Sequence, residues 1–195
     1  MTGGKYRSRL IRVPARPGLR PTPDRVRETL FNWLGQDLGG LACLDLFAGS
    51  GALGFEAASR GAARVVLVEK DRAAVAELER SRAALDASEV TIVCADAADY
   101  LARDHERPSA RPDHERPGAR PSSRFDVVFL DPPFRQNAVP AILGSLAPRL
   151  APGARIYVES EAPIEAAAPW TELKRAKTGQ VSYQLLLWDA NERRP

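Results

Sequence analysis

Residues 45–54 read Asp-Leu-Phe-Ala-Gly-Ser-Gly-Ala-Leu-Gly, and this stretch decides the fold. It lies between an apolar run at 41–47, predicted to be a buried strand, and an alanine-rich run at 52–60, predicted to be a helix. The glycines form a GxGxxG pattern, which permits a tight turn and lets a ligand approach the backbone where the helix begins. The loop alone fits NAD, FAD or S-adenosylmethionine. A P-loop is excluded, because no Gly-Lys-Ser or Gly-Lys-Thr follows the glycines.

Strands and helices alternate outward from this loop, so an α/β fold is expected. Short apolar runs separated by helical stretches favour a largely parallel sheet covered by helices on both faces. Near the C-terminal end, Thr178-Gly179-Gln180 separates two strand-like runs and predicts an antiparallel hairpin. The predicted helices lie at 26–34, 52–60, 72–85, 97–102 and 138–150, and the predicted strands at 41–47, 64–68, 90–94, 125–130, 155–159, 173–177 and 181–188.

The composition is typical of one globular domain. A chain of 195 residues that is 44% apolar can bury one sizeable core. No apolar run approaches the roughly 18 residues of a membrane span, and the first residues lack the apolar segment of a signal peptide. Cys43 and Cys94 lie in runs predicted to be buried strands, so we interpret both as buried, reduced thiols. We expect a cytoplasmic, monomeric protein without membrane association.

Positive charge is concentrated towards the N-terminal end. Residues 1–30 carry eight cations and two anions, a net charge of +6, whereas the net charge of the whole chain is +3. A basic arm on a slightly acidic body is typical of a protein that binds a phosphate backbone, although a solvated basic tail has the same composition. We predict a basic N-terminal arm at 1–25, followed by the main domain at 26–195. Six arginines are candidate RNA contacts: Arg7, Arg9, Arg12, Arg16, Arg20 and Arg25.

A tandem nine-residue repeat occupies 104–121, where DHERPSARP is followed by DHERPGARP. It contains no apolar residue beyond alanine, so we interpret it as a mobile surface insertion. Its histidines, His105 and His114, are the only two in the chain and lie in a proline-rich segment without cysteine. We therefore expect no metal site and no histidine among the catalytic bases.

Acidic residues follow the next two predicted strands. Glu69 ends the strand after the glycine loop, where a carboxylate can accept hydrogen bonds from both ribose hydroxyls of an adenosine. Asp96, ahead of Ala97, follows the third strand and could accept a hydrogen bond from an adenine amine. The same aspartate could instead cap the helix predicted at 97–102.

The tetrapeptide Asp131-Pro132-Pro133-Phe134 follows the fourth strand and decides between the cofactors. The two prolines stiffen the chain, so that the carboxylate of Asp131 and the carbonyl of Pro132 can both accept from an amino group, while Phe134 offers a face on which a base can stack. An aryl amine is a poor nucleophile, and two such acceptors can aim its lone pair at a sulfonium methyl group. A dehydrogenase has no use for this arrangement. A rigid turn without catalytic function is the structural alternative.

The glycine loop and the Asp-Pro-Pro-Phe tetrapeptide resemble those of the class I amino-methyltransferases. Three further segments are similar to the RsmD family, which methylates guanine N2 in small-subunit ribosomal RNA. They are the stretch at 18–34 (GLRPTPDRVRETLFNWL), Tyr157-Val-Glu-Ser-Glu161 and Gly179-Gln-Val. The similarity covers nearly the whole chain in the family's order, and the repeat at 104–121 departs from it.

The resemblance implies a Rossmann-like class I methyltransferase with a seven-stranded, mostly parallel, doubly wound sheet and a terminal antiparallel hairpin. It also implies S-adenosylmethionine as cofactor, and as partner the 16S ribosomal RNA of the small subunit or its assembly intermediate, with ribosomal proteins nearby. Catalysis is expected at Asp131, Pro132, Pro133 and Phe134. The candidate cofactor-binding residues are Asp45, Phe47, Ala48, Gly49, Ser50, Gly51, Glu69, Lys70, Asp96, Ala97 and Asp131.

Two alternatives remain at this stage. A DNA adenine-N6 methyltransferase shares the glycine loop and this type of tetrapeptide, but such enzymes usually carry a separate target-recognition domain, for which 195 residues leave no room. A nucleic-acid-binding protein that has lost catalysis would be expected to have a disabled tetrapeptide, and here the tetrapeptide is intact. Composition and spacing do not separate guanine from adenine, so that choice depends on the resemblance.

Overall fold

The computed structural model describes residues 1–9, 11, 24–103, 124–133 and 139–189. The tandem repeat, Phe134, Arg12, Arg16 and Arg20 lie outside the described residues. None of the helices in the described ranges is long and apolar enough to cross a membrane. In chain order the elements are α1 (Asp24–Leu34), β1 (Ala42–Asp45), α2 (Ala52–Ser59), β2 (Arg64–Glu69), α3 (Arg72–Leu85), β3 (Val90–Cys94), α4 (Ala97–Ala102), β4 (Phe125–Leu130), α5 (Val139–Leu146), a 3-10 helix (Ala147–Arg149), β5 (Leu150–Ser160), β6 (Trp170–Thr178) and β7 (Val181–Trp188).

The strands form one seven-stranded sheet in the order β3-β2-β1-β4-β5-β7-β6. Strands β1 to β5 run parallel to one another. Strand β7 is antiparallel to both β5 and β6, so β6 and β7 form the terminal hairpin. The prediction of a mostly parallel, doubly wound sheet with a terminal antiparallel hairpin is therefore confirmed.

Each face of the sheet has its own apolar core, as expected for a parallel sheet buried on both sides. On one face, side chains of α1, α2 and α3, such as Phe31, Phe55 and Leu78, pack against β1, β2 and β4. On the other face, α4 and α5 contribute residues such as Leu101 and Leu146. The face covered by α1, α2 and α3 is called the α1 face below.

Helix α1 runs antiparallel to the parallel strands beneath it. The ring of Phe31 lies 6.1 Å from the ring of Phe129 in β4. Further along the helix, the carbonyl of Leu34 accepts a 2.6 Å hydrogen bond from Arg155, which is paired with Val127, an earlier residue of β4. The first turn of α1 is therefore directed towards the carboxyl ends of the strands.

The region around 146–155 differs from its prediction. A helix was expected over 138–150, but α5 ends at Leu146 and a single 3-10 turn containing Pro148 follows. Strand β5 begins at Leu150 rather than 155, and it includes a register shift opposite β4 between Phe125 and Val127. Gly153, with φ +75°, supplies a backbone conformation that favours glycine within this irregular stretch.

The two cysteines lie in different environments. Cys43 is buried in the central strand β1, as predicted. The prediction that Cys94 is buried is wrong, because Cys94 ends β3, the outermost strand on that side of the sheet, and its side chain is exposed. Both thiols are free.

The start of the chain packs against the C-terminal half of α2. Glu56, which is 0% exposed, accepts hydrogen bonds from the amides of Thr2 and Gly3 at 2.9 and 2.8 Å. The same carboxylate pairs with Arg60 at 2.9 Å. One turn further, Ser59 accepts from the amide of Tyr6 at 2.8 Å. The buried carboxylate of Glu56 is thus satisfied both by Arg60, four positions away, and by two residues more than fifty positions earlier in the chain.

Replacing Glu56 with alanine is expected to lower the free energy of unfolding by about 3–5 kcal/mol, because Arg60 would become a buried cation without its carboxylate. Denaturant titration followed by circular dichroism measures the change. The matched control is Glu79→Ala, since the Glu79–Arg82 pair on α3 is about 40% exposed on both sides and its loss should cost about 0–1 kcal/mol. Equal losses for the two variants would contradict the role given to Glu56.

Candidate active site

The acidic residues predicted to bind the cofactor or the target amine lie at one edge of the sheet. Because β1 to β4 are parallel, their carboxyl ends meet at this carboxyl edge, and their opposite ends form the amino edge. Asp45 and Glu69 are the last residues of β1 and β2. Asp96 follows β3, and Asp131 follows β4 directly. The fold therefore brings together four acidic side chains that are far apart in the sequence.

The glycine loop links β1 to α2 with the geometry that its sequence predicts. Gly51 is the N-cap of α2 in the left-handed conformation, with φ +78°. A Cβ atom at this position would lie 2.6 Å from the ring of Phe55, so both the backbone angle and the packing require glycine. A Cβ atom at Gly54 would collide with Leu67 of β2, and its absence lets α2 pack closely on the sheet.

Asp45 holds the glycine loop from beneath. Its carboxylate is buried and accepts a 3.2 Å hydrogen bond from the amide of Gly54, and a second backbone hydrogen bond comes from Phe47. Burial raises the pKa of Asp45 to about 7, and the negative charge of Glu69 adds to the rise, while the two backbone hydrogen bonds oppose it. The buried carboxyl group therefore shapes the loop from the core side.

Glu69 connects the glycine loop to the start of α3. One carboxylate oxygen accepts from the amide of Gly49 at 2.9 Å, and the other accepts from the amide of Asp71 at 2.8 Å. Asp71 itself caps α3 by accepting from the amides of Ala73 and Ala74. The structure places Glu69 beside the loop, and its role in cofactor binding stays a prediction.

Asp96 caps α4, accepting a 2.9 Å hydrogen bond from the amide of Ala98 through one oxygen. Helix capping is the alternative role that the sequence left open for Asp96. Its other oxygen lies 4.0 Å from the ammonium group of Lys70, and both side chains are about half exposed. An N-cap aspartate can still present its second oxygen to a ligand, so capping and cofactor binding are compatible.

The remaining loop residues line the same edge. Ala48 and Ser50 are buried, and the amide of Ala48 donates to the carbonyl of Val68 at 3.0 Å. Phe47 is partly buried and packs against the core on the face opposite α1, and Ala97 is buried in that core. The loop is thus tied to β2 and packs against the cores on both faces of the sheet.

The segment that follows β4, the central strand of the sheet, lies at the carboxyl edge and comprises Asp131, Pro132 and Pro133. Asp131 is partly exposed, Pro132 is buried and Pro133 is exposed. The charge of Asp131 contributes to raising the pKa of Tyr157 on the neighbouring strand, although burial is the largest cause and Glu159 the second. Asp131 therefore lies close to Tyr157 of β5.

Two side chains near the end of β5 have no role predicted from the sequence. The hydroxyl of Tyr157 donates a 2.8 Å hydrogen bond to Glu159, and both side chains are buried. The only signal for them was their presence in the segment that resembles the RsmD family. A glutamate inside an apolar-looking strand is a poor cue from sequence, because its burial depends on residues of other strands, such as Tyr183 of β7, that lie beside it.

The candidate RNA contacts fall at different edges. Residues 1–9 lie at the amino edge, since Lys5 pairs with Glu89, the residue before β3, at 2.8 Å. Arg7 and Arg9 are exposed there and are not brought together with the glycine loop. Arg25 is exposed in the first turn of α1, towards the carboxyl edge.

Known proteins match this chain over most of its length. The family model described as conserved hypothetical protein 95 matches residues 1–187. Ribosomal RNA small subunit methyltransferase D of Escherichia coli K12 is 41% identical over 190 residues, which cover 94% of this chain and 86% of that protein. The chain belongs to the ribosomal RNA small subunit methyltransferase D (RsmD) family. The methyltransferase of the same name from Haemophilus influenzae is 40% identical, over 93% of this chain and 90% of its own.

Solved structures share the fold of this chain over most of its length. The methyltransferase YhhF of Escherichia coli superposes with a TM-score of 0.80 at 37% identity and covers 97% of both chains. An RNA methyltransferase from Salinibacter ruber, solved with S-adenosyl-L-homocysteine, superposes with a TM-score of 0.59 over 88% of this chain and 95% of its own. At 18% identity the second likeness shows the shared fold alone. The class I methyltransferase fold predicted from the sequence is confirmed.

The titration of Asp45 predicts a specific pH dependence of stability in this RsmD family member. Its folded pKa of about 7 is above its ordinary value of 3.8, so the stabilising contribution is present at low pH and is lost as the pH rises towards 7. Relative to Asp45→Asn, the free energy of unfolding of the parent should fall by about 2–3 kcal/mol between pH 5 and pH 8. Denaturant titrations of both proteins at several pH values measure this difference, and a difference that does not change with pH would contradict it.

Proposed function

We propose that this protein transfers the methyl group of S-adenosylmethionine to the exocyclic N2 amine of a guanine in 16S ribosomal RNA. The observation that carries the proposal is the arrangement at the carboxyl edge, where the glycine loop, Glu69 and Asp131 lie together in a chain of the RsmD family. The fold alone would be compatible with many activities. The tetrapeptide after β4 supports transfer to an amine in particular.

The chain's own residues fit an adenosine-containing cofactor. Gly51 adopts the left-handed conformation with which α2 begins at the glycine loop, and in folds of this kind a ligand approaches the backbone at this helix N-terminus. Glu69 is placed to accept from ribose hydroxyls by exchanging its hydrogen bonds with the loop, and Asp96 has an oxygen directed away from its helix cap. When bound, S-adenosylmethionine supplies an electrophilic methyl group on a sulfonium.

Asp131 and the carbonyl of Pro132 are proposed to hold the target amine. Two acceptors that bind the amine hydrogens draw the nitrogen towards tetrahedral geometry and direct its lone pair away from the ring, so positioning provides much of the rate enhancement. Formation of the N–C bond would break the sulfur–methyl bond of the sulfonium and leave a neutral thioether, and the amine would lose one proton. Asp131 or water can take this proton, so no separate general base is needed.

The proposed partner is the small ribosomal subunit or its assembly intermediate, in which ribosomal proteins lie beside the RNA, and the proposed location is the cytoplasm. Arg25 at the carboxyl edge is well placed for a phosphate contact near the target base. Arg7 and Arg9 at the amino edge would contact RNA further from the reaction. We propose that the protein acts as a monomer.

The proposal is tested by tritium transfer from labelled S-adenosylmethionine to small subunits, naked 16S ribosomal RNA and double-stranded DNA, followed by nucleoside analysis. N2-methylguanosine from subunits or ribosomal RNA is the expected product. N6-methyladenine from the DNA sample would instead support a DNA methyltransferase. Absence of transfer to every substrate, with S-adenosylmethionine bound in calorimetry, would support a catalytically silent binding protein.

Asp131 and Glu69 are expected to affect different steps. Asp131→Ala should lower the single-turnover rate on small subunits by about two to four orders of magnitude, while the affinity for S-adenosylmethionine changes little. Glu69→Ala should weaken cofactor binding by about 1.5–3 kcal/mol, because hydrogen bonds to a charged group are lost.

Rapid-quench kinetics give the transfer rate and calorimetry gives the cofactor affinity. Both are measured on both variants, so that each variant is the control for the other. An Asp131→Ala protein that keeps more than about a tenth of the parental rate would contradict the proposed chemistry. Unchanged cofactor affinity in Glu69→Ala would contradict the proposed binding site.

A further inference from the structure

Glu159 lies beside Asp131 at the carboxyl edge. Strands β4 and β5 are parallel neighbours in which Phe129 pairs with Tyr157 and Leu130 with Val158. The next residues along the chain are therefore Asp131, directly after β4, and Glu159 on β5, and neighbouring strands lie about 5 Å apart in backbone spacing. Phe129 and Tyr157 both belong to the core of the α1 face, and the two-residue period of a strand places Glu159 on that face as well.

Neighbouring aromatic side chains hold Glu159 in place. Tyr157 donates its hydroxyl hydrogen to Glu159 at 2.8 Å, and Glu159 is only 6% exposed. Its partner on β7 is Tyr183, whose ring lies 6.5 Å from that of Tyr157 and stacks on Trp33 of α1 at 5.5 Å. A carboxylate this deeply buried is not a solvated surface charge, and its location next to the proposed amine-binding acid calls for a chemical reason.

We propose that Glu159 is the residue that selects guanine, by accepting a hydrogen bond from the ring N1–H group while Asp131 holds the adjacent N2 amine. This inference rests on the proposed function and names the recognition element of the same site. In guanine, N1–H and the N2 amine are adjacent donors on one edge of the base, and two neighbouring carboxylates form the complementary pair of acceptors. A carboxylate has two oxygens and about four acceptor positions, so it can accept hydrogen bonds from a base and from other donors such as Tyr157 at the same time.

The same arrangement rejects adenine. Beside its amine, adenine carries N1 as an acceptor, whose lone pair would face the carboxylate of Glu159 without a hydrogen between them. A buried acceptor opposed by another acceptor loses its hydrogen bond and is repelled. Sites built to bind a substrate N–H or O–H group discriminate by about 10⁴ to 10⁵-fold against analogues that lack it. A single buried carboxylate is therefore sufficient to choose between the two purines.

The experiment uses small subunits reconstituted with 16S ribosomal RNA that carries either guanine or 2-aminopurine at the methylated position. The analogue 2-aminopurine keeps the amine at C2 but has an acceptor in place of N1–H. For the parent we expect single-turnover rates at least about 10³-fold higher on guanine. In Glu159→Gln the amide can donate to N1, so the ratio of the two rates should fall by at least about tenfold, mainly through slower transfer to guanine.

Two further variants separate base recognition from a general structural effect. Glu161→Gln removes an exposed carboxylate two residues away and should leave the ratio unchanged. Tyr157→Phe removes the hydroxyl that orients Glu159 and should lower the ratio less than Glu159→Gln does. Cofactor affinity and thermal unfolding of each variant report on folding independently of activity.

The outcomes distinguish this inference from the proposed function. A parent that methylates 2-aminopurine within about tenfold of guanine would overturn the inference, whether or not any variant folds. A folded Glu159→Gln protein with the parental ratio would overturn it as well, and methyl transfer to guanine would stand in both cases. A parent that methylates neither base would instead refute the proposed function itself.

Discussion

The position of β1 between β2 and β4 is the constraint on which the rest of the structure depends. The chain leaves β1 towards β2 and β3 on one side and later returns to place β4 and β5 on the other. Connections therefore cover opposite faces of the sheet on the two sides of β1, and a crevice opens above its carboxyl end, where ligands bind in folds of this kind. The glycine loop and Asp131 border this crevice because they follow β1 and β4 directly.

Buried acidic residues stabilise different segments at the two edges of the sheet. At the carboxyl edge, Asp45 supports the glycine loop from below, and Glu159 is held by Tyr157 beside the proposed reaction centre. At the amino edge, Glu56 fixes the first residues of the chain and neutralises Arg60. In each case the carboxylate accepts hydrogen bonds from defined donors, which offsets the cost of removing it from water. Helix α2 connects the two edges, since it begins at the glycine loop and its last turn contains Glu56 and Ser59.

Local signals predicted the regular elements well, and contacts between distant segments account for the differences. The bounds of α3 and β3 follow from capping residues and apolar runs and agree with the prediction. The early start of β5 depends on pairing with β4, which is distant in sequence. The exposure of Cys94 depends on the position of β3 at the outside of the sheet. A short stretch of sequence contains neither kind of information. The placement of Asp131 and Glu69 followed from strand order, but the burial of Glu159 depends on neighbours such as Tyr183, which β7 brings beside it from a distant part of the sequence.

The strand order also determines how long the growing chain is prone to aggregation during its synthesis. Cys43 pairs with Val65 of the next strand but also with Val127, so one side of β1 has no partner until β4 has left the ribosome. The tandem repeat at 104–121 lies in this interval and lengthens it. Until then the growing chain presents an apolar strand with unpaired backbone groups, the kind of edge that recruits other chains and attracts chaperones. Completion of the crevice above β1 and burial of this aggregation-prone edge are therefore the same event in biosynthesis.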